Sequence, residues 1–469
     1  MFNQIVGTIN AVLWGEGQLL IYMLLFAGVW FSSRLGLLQI RNFVHMFALL
    51  KTSTKADASG ISSFQALCTS LSARVGTGNL AGVAIAISLG GAGAIFWMWV
   101  IAFIGMATGY AESLLGQVYK VRDSNKEFRG GPAYYISQGL RLPWLGIAFS
   151  LCLLFGYGFI FGATQANTIA EAVNYAYGIP VSTTGLVITV FTGLIIVGGL
   201  RAIARFTELV VPIMALAYVG LVVAITLLNI NAVPAMLYDI VASAFGLHEA
   251  AAGAFAAAIK NGIQRGLYSN EAGAGSVPQA AAAASPKPNH PATQGFIQML
   301  GVFIDTMVVC TCTAIVILLA GEVGSGEMEG IRLTQLAMSQ HVGAYGVHFV
   351  ALAIGLFAFT SIVANYAYAE ANLHLFKLDT RLGRGVLISV FLVMIYWGTG
   401  ANLKDVWAAA DMAFGMMAVI NIVAIVLLTP TVVAVTKDYQ RKREQGDSID
   451  FSSRDCKVQG STEAGIWDK

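Results

Sequence analysis

Apolar runs long enough to cross a lipid bilayer recur about eleven times along this chain, divided by short polar breaks. A helix needs roughly 20 apolar residues to traverse the hydrocarbon core. The runs lie near residues 17–38, 61–90, 93–119, 144–177, 180–200, 203–228, 251–284, 291–320, 346–376, 385–400 and 403–430. Of the 469 residues little is left for a soluble domain. Composition agrees, with 57% hydrophobic and only 11% charged residues, where an ordinary globular domain carries about 25% charged. Disordered, collagen-like and disulfide-scaffold chains and cytosolic enzymes are excluded. A net charge of +2 offers no basic field for nucleic acid. The pattern predicts an all-α polytopic membrane protein whose first partner is the lipid bilayer.

The basic residues predict its orientation, because cytoplasmic loops collect Lys and Arg. With the N-terminus outside and the C-terminus inside, the external loops keep only Arg332 and Lys404. Arg74, Lys260 and Arg265 fall within spans, and the remaining 22 of the 27 Lys and Arg lie on the cytoplasmic side. Glu16 is the sole charge before the first apolar run, so no basic signal leader is read there. Cys68, Cys152, Cys310, Cys312 and Cys456 have neither metal-ligand nor disulfide spacing. The tail after Lys437 is polar, at first basic, and reads as a partly ordered interfacial segment.

Two spans are interrupted in matching places. The second contains Ser72-Ala-Arg-Val-Gly-Thr-Gly-Asn-Leu-Ala-Gly82 and the seventh contains Gln264-Arg-Gly-Leu-Tyr-Ser-Asn-Glu-Ala-Gly273. At a single offset of 191 residues, Arg74 meets Arg265, Asn79 meets Asn270, and the two Ala-Gly pairs coincide. Spans 2–6 and 7–11 then form two five-span sets of opposite sense, the mark of an inverted-repeat transporter. Gly76, Gly78 and Gly266 weaken their helices, and backbone opened inside a membrane must face protein or a ligand. Close helix packing would explain either stretch alone. Two polar, Arg-bearing interruptions in register favour a site.

With these words in view, the chain resembles the alanine or glycine:cation symporter family over about residues 15–440. Besides the two interruptions, the resemblance rests on Arg129-Gly-Gly-Pro-Ala-Tyr134, His290-Pro-Ala-Thr-Gln-Gly295 and Phe357-Ala-Phe-Thr-Ser361. It implies the LeuT-like fold of the amino acid/polyamine/organocation superfamily, with a 5+5 inverted repeat plus one extra N-terminal helix. The segments would be residues 1–60 for that helix and a cytoplasmic loop, 61–228 and 251–430 for the repeats, and 431–469 for a cytoplasmic tail. It also implies uptake of a small neutral amino acid such as alanine, glycine or D-alanine. The coupling ion would be Na⁺, or H⁺ in some members, with no organic cofactor, in the plasma (inner) membrane.

Carried onto this chain, the resemblance makes the backbones of Ser72, Val75 and Phe357 and the hydroxyls of Thr360 and Ser361 sodium ligands. Within the substrate-binding stretch Gly76–Asn79 the Thr77 and Gly78 region would receive the α-carboxylate, Asn79 and Asn270 would be polar anchors, and Gln264 and Leu267 would contribute from the seventh span. Phe161 and Gln165, four apart on one helix face, would form the opposite wall. Many members carry a tryptophan after the Thr-Ser pair; here Asn365 stands in Ile362-Val-Ala-Asn-Tyr-Ala-Tyr368. That exchange admits larger polar substrates such as glutamine or serine, unless Tyr366 or Tyr368 fills the space.

Arg74 and Arg265, expensive if alone in lipid, are expected to form structural or gating ion pairs with Glu271, Asp305 or Glu112. Asp305 alternatively relays protons or helps hold an ion. Glu112, Glu171, Glu208, Glu370 and Asp411 lie nearer span ends and are expected to be hydrated. The histidines at 45, 248, 290, 341, 348 and 374 fall in loops or near span ends, so no intramembrane metal cluster is indicated. A membrane-embedded enzyme would need a nucleophile beside its base or a metal pair; no His-Glu-x-x-His run and no such pairing occurs. No catalytic residue is assigned, and the oligomeric state is left open.

Overall fold

Ser62 begins the helix that leads into the first interruption. Its hydroxyl accepts from the Gln65 N–H at 3.1 Å, and the Gln65 side chain accepts from the Ser62 N–H at 3.0 Å, so two otherwise orphaned donors are satisfied. Proline opens the helices Pro132–Gly139, Pro143–Phe155 and Pro291–Val302, where its missing N–H costs nothing. The computed structural model describes residues 2–15, 18–55, 60–247, 252–321 and 330–468. Glu16 and His248 lie outside the described residues. Among the described residues, apart from a two-stranded hairpin pairing Val121 with Arg129 and Arg122 with Phe128, the elements are helical.

Among the described residues seven helices are long and apolar enough to cross a membrane: Gly93–Val118, Pro143–Tyr177, Gly199–Leu228, Pro291–Leu319, Tyr345–Phe376, Arg381–Thr399 and Leu403–Leu427. Shorter apolar helices include Leu19–Arg34, Val181–Ile196 and Val233–Ala244. The expected runs at 61–90 and 251–284 are each split into two shorter helices by extended or left-handed backbone. Leu194, Val197, Leu209, Ile213, Leu216, Leu227 and Leu382 are all exposed. Such an apolar perimeter is unstable in water and suited to acyl chains. The molecule is a multi-pass membrane protein.

At its centre the Gly93–Val118 helix packs against Ala252–Asn270, Pro291–Val302 and Leu19–Arg34. Small residues permit the approach. A Cβ on Gly262 would stand 2.4 Å from the Ala94 carbonyl oxygen, and one on Gly266 would stand 2.6 Å from Ile101. These two glycines, one turn apart, form the close-packing stripe common between membrane helices. Among the described residues three helices widen into π-type turns, at Gly78–Gly82, Gly156–Ile160 and Phe303–Cys310. Such widenings often accompany functional sites.

The C-terminal segment departs from the sequence expectation. After the helix Thr429–Gln445 the chain folds back onto protein, burying Phe451 and Trp467. The Trp467 indole donates to the Gln117 carbonyl at 3.0 Å, and the Ser461 N–H donates to the Gln138 carbonyl at 3.2 Å. The polar composition hid a few apolar anchors that face the body of the molecule.

Candidate functional site

The first interruption is built around Gly76. The helix Ser63–Arg74 ends at Val75, whose backbone is extended (φ −78°, ψ 92°), and the wide turn starts at Gly78. Within the opening the Gly76 N–H donates to Asn79 Oδ1 at 2.9 Å. The Thr77 N–H and hydroxyl both donate to Gln165 Oε1, at 2.9 and 2.7 Å. A Cβ at position 76 would stand 2.4 Å from Ser361 Oγ and 2.7 Å from Gln165 Oε1. Glycine therefore lets two other helices reach the opened backbone.

Ser361 Oγ lies 2.7 Å from the Ser72 carbonyl oxygen, 3.3 Å from that of Val75 and 3.0 Å from that of Phe357. One hydroxyl hydrogen serves one of these well, so oxygen lone pairs outnumber hydrogens. Thr360 Oγ1 donates to the same Phe357 oxygen at 2.9 Å. An oxygen-only set without a carboxylate suits a weakly held hard monovalent cation.

The second interruption covers residues 271–276, between Ala252–Asn270 and Val277–Ala283. Glu271, Gly273 and Gly275 have φ of +57°, +93° and +81°, a region that is strained for Glu and open to glycine. The N–H groups of Gly273 and Gly275 each donate to the Glu112 carboxylate at 3.2 Å. Asn421 Nδ2 donates to Glu112 Oε2 at 2.8 Å and to the Gly273 carbonyl at 3.0 Å. Ser276 Oγ donates to Glu271 Oε2 at 2.6 Å. Glu112, expected at a hydrated span end, is instead fully buried and holds this backbone open.

Asn79 joins the two interruptions. Its Nδ2 donates to Ser269 Oγ at 3.0 Å and to Asp305 Oδ1 at 2.7 Å. Above the first opening stands an aromatic group. Tyr268 lies with its ring centroid 4.7 Å from that of Trp407 and 5.0 Å from that of Phe414, which is 4.3 Å from Phe161. The Arg265 guanidinium lies 4.7 Å from the Trp407 ring centroid and donates to Asp411 Oδ2 at 2.7 Å. Gln264, Arg265, Trp407 and Asp411, with Lys260 and Lys404, line a cavity of about 510 Å³.

Two expectations for the arginines are corrected. Arg265 pairs with Asp411 rather than with Glu271, Asp305 or Glu112, and Asp411 is buried rather than hydrated. Arg74 makes no ion pair among the described residues. Its Nη1 reaches the Gln298 carbonyl at 3.4 Å, while Nε and Nη2 have no hydrogen-bond partner. It interacts only through space with Glu112, Glu271 and Asp305.

Leu267 is not brought to the openings. It packs with Leu24, Ile101 and Ile422. Its neighbour Tyr268, which sequence reasoning passed over, closes on Gly78 instead. Consecutive helical residues point about 100° apart, and an apolar run does not reveal which one faces inward. Asn270 Oδ1 accepts from the Ala272 N–H at 3.0 Å, but its Nδ2 is buried without a partner. Asn365 Nδ2 is likewise buried and unpartnered, one turn beyond Ser361 on the same helix face. Buried polar groups are seldom left unpaired.

Discontinuous helices with polar backbone at their breaks, inside an apolar perimeter, are the architecture of a membrane carrier. The chain belongs to the sodium:alanine symporter family, whose model matches residues 1–453. It is 48% identical to the uncharacterised transporter YaaJ of Escherichia coli (strain K12), over 93% of each chain. It is 43% identical to the probable sodium/glutamine symporter GlnT of Bacillus subtilis (strain 168), over 95% of this chain and 92% of the other. With the sodium/proton-dependent alanine carrier protein of Bacillus sp. (strain PS3) it shares 37% identity, over 86% of this chain and 94% of that one.

Proposed function

We propose that the protein is a secondary active symporter that couples inward Na⁺ movement to uptake of a small neutral amino acid, alanine or glycine, by alternating access. It is a carrier and not an enzyme. The observation that carries this reading is the convergence of the Ser72, Val75 and Phe357 carbonyls on the Ser361 hydroxyl, directly beside the opened Gly76–Thr77 backbone. Sodium would be held by these oxygens and by Thr360. The amino acid would lie against Gly76, Thr77, Gly78 and Asn79, between Phe161 and Gln165 on one side and Gln264, Tyr268 and Asn270 on the other. Sodium orders the opened backbone of the first broken helix, so bound cation raises affinity for substrate and substrate raises affinity for cation.

The reading includes eleven spans, a LeuT-like 5+5 repeat over 61–228 and 251–430, and a tail from 431. Its support is that helix covers each predicted run and that an interruption begins within each of the two matched words, after Arg74 in the first and after Asn270 in the second. The N-terminus would face outside and the C-terminus the cytoplasm of the cell whose plasma membrane holds it. In that orientation the cavity beside Lys260 and Lys404 is the outer vestibule, and the Arg265–Asp411 pair with Trp407 and Tyr268 is its floor and gate. Closing this layer and opening the opposite one exposes the same site to the other side.

A second substrate reading has its own observation. The unpartnered Asn365 amide favours a substrate with a polar side chain, such as glutamine or serine, in line with the name of the Bacillus subtilis relative. Counterflow in proteoliposomes decides. Labelled alanine is expected to accumulate in sodium and not in sodium-free buffer, and a competition panel separates alanine and glycine from glutamine and serine. Sodium-independent counterflow would remove the proposed cation site.

A further inference from the structure

We infer that Asp305 is a proton-binding site whose carboxyl is protonated and released in each transport cycle, so that a proton accompanies the amino acid. This rests on the symport reading and names one group that couples it to protons.

Asp305 is fully buried in the wide turn Phe303–Cys310. Its oxygens accept three hydrogen bonds: Oδ1 from Asn79 Nδ2 at 2.7 Å, and Oδ2 from the hydroxyls of Ser269 at 2.8 Å and Thr306 at 2.7 Å. All three donors are uncharged, and among the described residues no Lys, Arg or His forms an ion pair with it. A carboxylate so enclosed is costly unless its charge is neutralised, by a proton or by a cation.

The local chemistry favours the proton. A metal cation needs lone pairs, yet Asn79 turns its NH₂ toward Asp305, because its Oδ1 is occupied by the Gly76 N–H. A proton on Oδ2 fits with no movement of heavy atoms. The new O–H donates to Ser269 Oγ, and the Ser269 hydroxyl swings to Cys310 Sγ, which already lies 3.0 Å away. Hydroxyl rotation therefore allows either charge state.

The charged or titratable groups facing the site are Cys310 on its own helix, Arg74 from the first broken helix and Glu271 from the second. The Gly93–Val118 and Gly199–Leu228 helices also pack on this turn but, among the described residues, donate no hydrogen bond to Asp305. Because Asn79 follows one interruption and Ser269 precedes the other, rearranging their shared bonds changes both. That gives proton binding at Asp305 a route to the substrate pocket.

The test uses the full chain in proteoliposomes with equal sodium on both sides and a pH-sensitive dye inside. Counterflow of alanine, glycine and glutamine by the wild type is measured in parallel and tests the transport reading separately. The expected result is lumen acidification when a transported amino acid is added outside, lost in Asp305→Asn. Counterflow without acidification in the wild type overturns the proton site and leaves the symport reading standing; absence of counterflow for all three overturns both. Acidification that persists in Asp305→Asn also overturns it, as does loss of sodium dependence in that variant with acidification intact. Should Asp305→Asn not fold, Asp305→Glu retains a carboxyl and is expected to keep acidification; Asp305→Glu that carries out counterflow without acidification overturns the proposal.

Discussion

The side-chain amide of Asn79 donates to the hydroxyl of Ser269 across 3.0 Å, fastening the turn after one helix interruption to the last turn before the other. Both residues are buried, so this bond ties the two discontinuous helices together at their weakest points. Changes to the oxygens and glycines around it should therefore register in transport before they register in folding.

Ser361→Ala removes the hydroxyl that three carbonyl oxygens share. One well-made hydrogen bond or ligand is worth about 1.4 kcal/mol, a factor of ten in an equilibrium constant. The sodium concentration for half-maximal alanine uptake is expected to rise about tenfold, and further when combined with Thr360→Ala. An unchanged sodium dependence would exclude these oxygens as ligands.

Gly76→Ala places a methyl group 2.4 Å from Ser361 Oγ and 2.7 Å from Gln165 Oε1. Overpacking of this kind costs about 1–3 kcal/mol, and uptake is expected to fall tenfold or more. Gly355→Ala, in the helix that carries Ser361 but with nothing within 4 Å of its added Cβ, is the matched control and should transport normally.

Asp411→Asn leaves the Arg265 guanidinium buried against Trp407 without its carboxylate. Breaking a buried pair by removing one partner costs about 3–5 kcal/mol. A clear drop in thermal unfolding temperature in detergent is expected. Replacing both partners together, as Arg265→Met with Asp411→Leu, should recover much of that loss.

Asn365→Trp removes an unpartnered amide and fills the space with a ring. The substrate range is expected to narrow toward glycine and alanine. The check is competition: glutamine and serine should lose their ability to displace labelled alanine, and unaltered competition would put Asn365 outside the pocket.

Acid should loosen the C-terminal segment. His290 Nδ1 accepts from the Ala292 N–H at 3.1 Å, so the neutral ring carries its proton on Nε2 and faces Asp438 at 3.3 Å. Burial holds His290 below its ordinary value of 6.5, despite the pull of Asp438. At Asp438 burial opposes ionisation, but hydrogen bonds from His290 and Lys442 outweigh it and keep the carboxyl below the ordinary 3.8. Both groups thus titrate lower when folded, so their stabilisation is whole above those ordinary values and is lost as pH falls. The His290 share declines first, below about pH 6.5. A spin label at Ser461 should become more mobile on acidification, and less so in His290→Asn, which does not titrate.

Much of the site was legible in linear order. The glycines and polar residues of Ser72–Gly82 marked the first broken helix, and the end of Gln264–Gly273 marked the second, which opens only from Glu271 while Gly266 stays in helix. The proposed cation ligands, written in two short words 289 residues apart at Ser72 and Ser361, do meet. What misled was the meaning of position along a span. Glu112 and Asp411 sat near predicted ends and were read as hydrated, whereas each is buried against a specific partner. Leu267 was placed at the site and Tyr268 omitted, though a rotation of one residue separates them.

The sequence by itself determined the solvent, the helical class, the family resemblance and the two interruptions, since all of these follow from local hydropathy, local helix propensity and short contiguous words. Only the tertiary structure decided that Arg265 pairs with Asp411, that Glu112 and Asn421 hold the second opening, that Trp467 is buried against Gln117, and that Asp305 meets only neutral donors. These are pairings between residues far apart in the chain. Charge and burial at such positions depend on which helix faces pack together, and that is set by the shape of the whole bundle.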